Sequence, residues 1–252
     1  MPEGPIIIIL KEKVEKLNLP GQRLLEISGD GKTDYKELVN QKVTAIKSWG
    51  KHFLICFSEL AIRVHMMMDG FYQINSHEHD KQPTLRLVFP STEINFYDSS
   101  IILLKGDLDD IYDWKKDIMS DSWDEEAALK KLIKNPATLV CDVLLDQQVF
   151  SGSGNIIKNE ALYRVKVHPL SLIGELPPAK LREMIEEVRN YSFDFLKWKK
   201  ELQLAKKWQA YTKETCMRCN VPLLRAELGK TKRLCYYCTN CQQLYSNQLF
   251  PF

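Results

Sequence analysis

Cys216-Met217-Arg218-Cys219 and Cys238-Thr239-Asn240-Cys241 stand 18 residues apart near the end of the 252-residue chain. Each Cys-x-x-Cys can place two thiolates on one tetrahedral ion, and four thiolates close a structural zinc site. With Cys235, five of the seven cysteines fall within 26 residues. Cys235 and Cys238 also make a Cys-x-x-Cys, so three thiols compete for two ligand positions. The apolar run Ile6–Leu10, as long as any in the chain, has no basic segment before it and Lys11-Glu12-Lys13 directly after. That pattern is neither a secretory signal nor a membrane span, so the cysteines are expected to bind metal rather than form disulfides. A segment of this size has little core of its own, and the metal is expected to hold it together. Cys56 and Cys141 sit in apolar runs and are expected in the core.

Upstream of the cysteines the periodicity is helical over Trp123–Ile133, Pro136–Gln147, Asn155–Lys166, Pro178–Asn190 and Phe193–Trp208. Between the second and third of these lies Ser151-Gly152-Ser153-Gly154-Asn155. It reads either as a tight corner between helices or as a helix-turn-helix-like element whose N–H groups receive a phosphate. Trp198 and Trp208 fit one helical core face. Further upstream, short strand-like runs follow one another: Leu24–Ser28, Val43–Trp49, His52–Phe57, Leu60–His65, Phe71–Ile74, Leu85–Phe89, Glu93–Tyr97 and Ile101–Leu104. Such spacing predicts an antiparallel sandwich or barrel. The acidic stretch Gly106–Asp124 reads as a linker. His65 is expected at a strand end, and His77-Glu78-His79 reads as a solvated polar loop or a metal-binding group.

The length suits two domains and a small module, with boundaries at 1–118, 119–210 and 211–252. A net charge of +2 hides an uneven distribution. Residues 107–126 carry nine acids and two lysines, a local −7, whereas residues 197–233 carry eleven Lys/Arg and three Glu, a local +8. A basic C-terminal third is a surface that neutralises phosphates. The expected setting is the cytoplasm, or the nucleoid in a bacterium, without membrane contact.

The start of the chain, Met1-Pro2-Glu3-Gly4-Pro5, opens a helix over residues 5–17 with Ile7, Leu10, Val14 and Leu17 on one face. If Met1 is removed, Pro2 presents a secondary α-amine whose pKa of about 8 leaves a neutral, nucleophilic fraction at pH 7. Such an amine forms an iminium with a sugar carbon without losing a further proton, and Glu3 beside it could move protons. The alternative is an ordinary start with proline in the first helical turn.

Together these motifs resemble the formamidopyrimidine-DNA glycosylase/endonuclease VIII family. The resemblance rests on Met1–Pro5, on Trp49-Gly50-Lys51-His52-Phe53-Leu54, on Leu144-Leu145-Asp146-Gln147 with Gly152-Ser153-Gly154-Asn155, Glu160-Ala161-Leu162 and His168-Pro169, and on Arg233, Cys238 and Cys241-Gln242. It implies an α+β fold: an N-terminal antiparallel β-sandwich flanked by helices, then a helix–two-turn–helix domain with a C-terminal zinc finger. It implies a monomeric DNA glycosylase with AP lyase activity on damaged duplex DNA, with structural zinc and no nucleotide cofactor. Pro2 would attack C1′ and Glu3 would assist glycosidic cleavage. Lys51, Asn155 and Arg233 would hold phosphates, with Lys51 and Arg233 supporting elimination. The resemblance favours Cys216, Cys219, Cys238 and Cys241 as ligands and leaves Cys235 spare.

Departures from the family pattern narrow the reading. Ile6 stands where the family usually has a second acid. The finger loop is longer than usual. Met68 lies where a void-filling residue is placed and is either that residue or strand core. Asp98-Ser99-Ser100-Ile101-Ile102 lacks the Arg and Phe of the purine-specific branch, which favours the endonuclease VIII branch and oxidised pyrimidines. The rival readings are a catalytically inactive DNA-binding homologue, an oxidised-purine glycosylase, and a zinc-ribbon protein that binds RNA or protein.

Overall fold

A computed structural model of the chain describes residues 2–29, 35–76 and 80–246. Met1 and His77-Glu78-His79 lie outside the described residues. The chain forms two compact units, Met1–Asp113 and Trp114–Phe252.

In the first unit α1 (Gly4–Glu15) precedes β1 (Glu26–Gly29), β2 (Ala45–Trp49), β3 (His52–Cys56), β4 (Leu60–Ile74), β5 (Leu85–Phe89), β6 (Thr92–Lys105) and the short α2 (Leu108–Ile111). The strands make one antiparallel ladder in the order β1-β5-β6-β4-β3-β2. On α1 the expected apolar face holds: Ile7, Leu10 and Val14 are fully buried in a core with Phe53, Ile55, Ile62, Val64, Leu87 and Phe96, and Leu17 packs at its edge. Burying each such side chain contributes roughly 1.5–3 kcal/mol, which outweighs the poor helix propensity of four consecutive isoleucines.

Two differences from the sequence reading have local causes. Four of the five strands expected between Leu60 and Leu104 merge into two long ones, β4 and β6, because the ladder continues through a bulge instead of stopping. Met66 pairs with Ser99 and Phe71 with Tyr97, so Met67–Gly70 face the single residue Asp98, whose φ is +45°. His65 therefore lies within β4, not at a strand end. The acidic stretch is also no plain linker. Leu108, Tyr112, Ile118 and Met119 are buried, and several of the acids serve as caps. Asp107 accepts from Asp109 N and Asp117 from Met119 N, each at 2.9 Å.

The second unit contains α3 (Glu125–Ile133), α4 (Val140–Val143), α5 (Asn155–Arg164), α6 (Pro178–Lys200), α7 (Leu204–Lys207) and a hairpin of β7 (Leu224–Leu228) and β8 (Arg233–Tyr237). The expected helix over 136–147 is reduced to α4. Residues before it pair with an extended segment instead: Val140 N donates to Ser171 O at 2.9 Å and Ile173 N to Thr138 O at 3.0 Å. Conversely, α6 runs straight through the expected break at residues 191–192, where Ser192 Oγ bonds Val188 O at 2.7 Å. It ends at Lys200, next to Leu202 with φ +57°. Trp198 and Trp208 therefore do not share a helix. Trp198 lies edge-on to Tyr191 and Trp208 edge-on to Tyr211. Among the described residues no helix is long and apolar enough to cross a membrane.

The bulge depends on Gly70. A Cβ there would lie 2.7 Å from Asp98 O and 2.8 Å from Met67 N, both backbone atoms. Gly70→Ala is expected to cost about 1–3 kcal/mol by forced overpacking. Thermal unfolding of the variant beside the unmodified protein checks this. An unchanged Tm for Gly70→Ala would show that the bulge yields freely.

Candidate functional site

The first unit carries Pro2, Glu3, Lys51 and Met68; the second carries Asn155, Arg233 and the cysteines. Pro2 and Glu3 are both buried, with Glu3 as the N-cap of α1. Its carbonyl accepts from Ile6 N at 2.8 Å, and its carboxylate sits at the positive end of the helix dipole. Because α1 is anchored by Ile7, Leu10 and Val14, the first residues of the chain are held by the core.

Lys51 occupies the two-residue loop between β2 and β3, where Trp49 pairs with His52. Gly50 takes φ +53°, as the first loop position of a type II′ hairpin requires. His65 Nδ1 donates to the Lys51 carbonyl at 3.2 Å from β4, so that strand fixes the loop. Around it His52 Nδ1 meets Tyr112 Oη at 3.1 Å, and Trp49 Nε1 donates to Asp113 O at 2.9 Å. Burial, then the positive charges of Arg63 and Lys51 and the neighbouring His65, hold His52 down at about 3. Burial likewise lowers His65. Both imidazoles are therefore neutral beside Lys51, which concentrates the local positive charge on Lys51 and Arg63.

Met68 is 57% exposed and Met67 52% exposed on the bulge, which removes the strand-core reading of Met68. Beside them Phe71 stacks on Tyr97, with centroids 4.5 Å apart and planes within 9°. Lys81 Nζ lies 5.7 Å from the Phe71 ring centre and pairs with Asp98 at 2.5 Å.

In the second unit Asn155 opens α5, with Gly154 as N-cap. The turn before it is clamped by Gln147, whose Nε2 donates to Leu145 O at 2.8 Å and Ser153 O at 3.0 Å, and whose Oε1 accepts from Gly152 N at 3.1 Å. Ser151 Oγ, Ser153 Oγ and Asn155 Oδ1 are buried without a hydrogen-bond partner. Unpaired buried polar groups in a native fold call for an explanation. The two serine hydroxyls can donate, and beside the start of a ten-residue helix they make a cradle for an anionic group, whereas the Asn155 amide oxygen can only accept. Ser151, Ser153 and Gln147 fall inside motifs of the sequence, none with an individual role assigned. A polar residue in a glycine turn carries no periodic signal, so only the burial reveals them.

Arg233 starts β8 opposite Leu228 at the closed end of the hairpin. The hairpin tip is tied to α4: Asp142 accepts from Lys230 N at 3.0 Å and from Thr231 N at 3.1 Å. Gly229, at φ +71°, leaves room for that carboxylate. From α5, Asn159 donates to Leu234 O at 3.1 Å and accepts from Tyr236 N at 2.8 Å. Thus α4 and α5 jointly set the position of the Arg233 backbone.

The thiol ambiguity resolves geometrically. The Sγ atoms of Cys216, Cys219, Cys238 and Cys241 all lie within 4.8 Å of one another, and Cys216 Sγ and Cys241 Sγ are 3.7 Å apart. Tetrahedral zinc with Zn–S of about 2.3 Å needs edges of about 3.8 Å, so the four cysteines form a set that could hold a metal. Cys235 is outside it. Burial pushes the Cys216 thiol up, but Tyr163 Oη at 3.3 Å and the N–H groups of Arg218 and Cys219 outweigh this and bring it to about 6. Arg218 Nη2 donates to Cys241 Sγ at 3.1 Å while its guanidinium lies 3.7 Å from the Tyr163 ring centre. These donors suit a cluster of thiolates.

Two family models match the chain: the formamidopyrimidine-DNA glycosylase N-terminal domain over residues 1–100 and the formamidopyrimidine-DNA glycosylase H2TH domain over residues 116–192. Among curated proteins, human endonuclease 8-like 3 is 27% identical over 281 residues, covering 96% of this chain and 46% of that protein. Mouse endonuclease 8-like 2 is 37% identical over 135 residues, covering 52% of this chain and 40% of that protein. The chain thus spans about half the length of the curated relatives it matches. Two solved structures share the fold. A viral DNA glycosylase has a TM-score of 0.83 at 23% identity, covering 96% of this chain and 100% of that one. Lactococcus lactis formamidopyrimidine-DNA glycosylase bound non-covalently to DNA containing an AP site has a TM-score of 0.84 at 21% identity, covering 96% and 99%.

Two predictions follow from this geometry. Cys241→Ser should lose the bound zinc and Cys235→Ser should retain one zinc per chain, as measured by metal analysis of purified protein; the reverse pattern would move the site. For pH, His52 is held at about 3 and His168, by burial, at about 4. Unfolded histidines protonate near pH 6.5, so below that pH the unfolded chain binds protons that the folded chain refuses. Stability should therefore fall as pH drops from about 6.5 towards 4. The ring resonances of His52 and His168 should stay constant from pH 8 to pH 5 while Tm declines; midpoints near 6.5 for both rings would contradict the assignment.

Proposed function

Because this chain belongs to the formamidopyrimidine-DNA glycosylase/endonuclease VIII family, we propose that it is a bifunctional DNA glycosylase and AP lyase of base-excision repair. Its substrates are damaged duplex DNA, with oxidised pyrimidines favoured. The observation that carries the reading is the Pro2-Glu3 pair held at the start of α1 by a helix anchored in the core. An N-terminal nucleophile needs such a fixed origin.

After Met1 is removed, the neutral Pro2 amine attacks C1′ of a nucleotide extruded from the stack. The glycosidic bond breaks, the base leaves with a proton, and Glu3 assists the proton movements. The resulting iminium acidifies the C2′ proton. Loss of that proton expels the 3′ phosphate by β-elimination, and a second elimination can follow. Lys51 supports the reaction by holding the phosphate beside the lesion. Asn155, with the buried oxygens of Ser151 and Ser153, supplies a second phosphate cradle, and Arg233 a third contact. Met68, exposed on the bulge, is suited to fill the gap left by the extruded base. The Asp98–Ile102 stretch lies in strand β6 and carries no Arg or Phe, which supports the pyrimidine preference. Zinc on Cys216, Cys219, Cys238 and Cys241 would act as a tetrahedral crosslink that holds the finger without entering the chemistry.

A second reading has one observation behind it. Ile6, in the place of a second acid, packs against the apolar core, so a homologue that binds DNA without cleaving it is the alternative. Borohydride trapping on duplexes with an abasic site, dihydrouracil or 8-oxoguanine separates the two. The proposal expects a covalent adduct that requires a free Pro2 amine and is strongest on the abasic and dihydrouracil duplexes. An adduct formed equally well by protein that retains Met1 would eliminate the proline mechanism. Tight binding with no adduct on any duplex would favour the non-cleaving reading.

A further inference from the structure

The turn that closes the β7–β8 hairpin carries charge that the proposed chemistry does not use. Leu228 pairs with Arg233, and the residues between them are Gly229-Lys230-Thr231-Lys232. From Leu228 to Arg233 there are three cations and no acid. Lys230 and Lys232 are exposed, and among the described residues neither ammonium is in an ion pair. A turn this exposed is ordinarily loose, yet this one is tied down. Asp142 Oδ2 accepts from Lys230 N at 3.0 Å and Asp142 Oδ1 from Thr231 N at 3.1 Å. Both carboxylate oxygens thus go to backbone donors and neither to a lysine ammonium. The strand below is held from α5, where Lys158 Nζ and Asn159 Nδ2 each donate to Leu234 O at 3.1 Å. A second observation is independent of those bonds. Lys232 has φ +49°, in the left-handed region where an L side chain crowds its own backbone and which glycine or asparagine occupies more easily. A turn shaped by stability alone would carry one of those residues there. Lysine at a strained, exposed position points to a use for its charge.

Given DNA binding as proposed above, and without need of its cleavage steps, we infer that Lys230 and Lys232 are further phosphate-binding residues flanking Arg233. Asp142 is the positioning residue that fixes the turn carrying them. The ligand is the sugar–phosphate backbone of duplex DNA. By tying the turn through its N–H groups, the carboxylate sets where the cations stand without pairing with either lysine. Cations held in place in this way meet phosphates without the ordering cost that a loose turn would incur.

The test is the salt dependence of binding to a duplex with an uncleavable abasic-site analogue, followed by fluorescence anisotropy on the zinc-loaded full chain. Lys230→Ala and Lys232→Asn should each weaken binding several-fold. Each should also reduce the slope of log K against log salt concentration by about 0.9, the value of one lost phosphate contact. Lys232→Asn should do so with Tm unchanged or raised, because asparagine accepts the left-handed backbone; a merely structural lysine would not show that split. Asp142→Ala is decided by sign. Removing a negative charge strengthens phosphate binding if Asp142 only adds to the local field, whereas loss of positioning weakens it. The expected result is weaker binding, with no such loss when Lys230, Lys232 and Arg233 are already alanine. If Asp142→Ala does not fold, Asp142→Asn, which keeps one acceptor oxygen, takes its place with the same expected sign. Unchanged slopes for the lysine variants, or tighter binding by the Asp142 variant, would overturn the inference while leaving a DNA complex intact. No binding of the duplex by the unmodified protein would overturn both the inference and the DNA-binding reading beneath it.

Discussion

Helix α5 is buried along nine consecutive residues, Asn155 to Tyr163, and the rest of the second unit depends on how its polar side chains are satisfied. A buried polar group without a partner costs about 1–3 kcal/mol, and α5 buries four polar side chains, Asn155, Lys158, Asn159 and Glu160. The partners lie on other parts of the chain. Glu160 accepts from the backbone N–H groups of Gln209, Ala210 and Tyr211, the last at 2.7 Å. Asn159 and Lys158 reach β8. Burial raises the Glu160 pKa, and the three N–H donors oppose that rise. A single apolar helix could fill the same space, but it could not place the chain entering the cysteine segment and the strand beginning with Arg233 at defined positions. The buried oxygens at the helix start, on Ser151, Ser153 and Asn155, have no hydrogen-bond partner, and the two hydroxyls among them can still donate to a ligand.

The first unit meets an analogous demand with different means. Lys51 sits on a loop that strand pairing alone would leave as a surface turn. His65 and His52 surround it, both held neutral by burial, and His65 binds the Lys51 carbonyl rather than its charge. The loop is thus held through its backbone, from a strand that does not carry it. On the neighbouring strand, the bulge exposes Met67 and Met68 at the cost of a left-handed Asp98 and a required Gly70. Both devices distort regular hairpins, which is how a sheet presents particular side chains.

How much of this was legible in the sequence depended on whether a residue's role is written in a period or in a contact. The α1 face at Ile7, Leu10 and Val14 and the two Cys-x-x-Cys motifs are periodic or spaced signals, and both read correctly. The choice among Cys235, Cys238 and Cys241 needed three dimensions, because spacing alone permits either pair. The acidic stretch misled because capping aspartates and solvated aspartates look alike in one dimension. The split of β4 and β6 into four strands arose because Met66–Gly70 breaks the alternation locally while the ladder continues beyond it. The helix start at Asn155 was visible through its glycines, but the individual roles of Gln147, Ser151 and Ser153 were not, since they lie in burial and contact.

Ile6 shows how the departure from the family pattern is absorbed. A second acid at that position would stand within the first turn of α1, where the helix dipole favours negative charge. Isoleucine instead joins the apolar core that already includes Ile7 and Leu10. The helix therefore gains anchoring where it loses electrostatic complement, and Glu3, fully buried at the N-cap, is the carboxylate that remains beside Pro2. In the proposed mechanism, one acid there instead of two leaves Glu3 as the side chain that would set the protonation state near the amine. If Pro2 acts as proposed, its position is set by the hydrophobic packing of α1, so changes to Ile7 or Leu10 would act on the chemistry through the geometry of that helix as well as on stability.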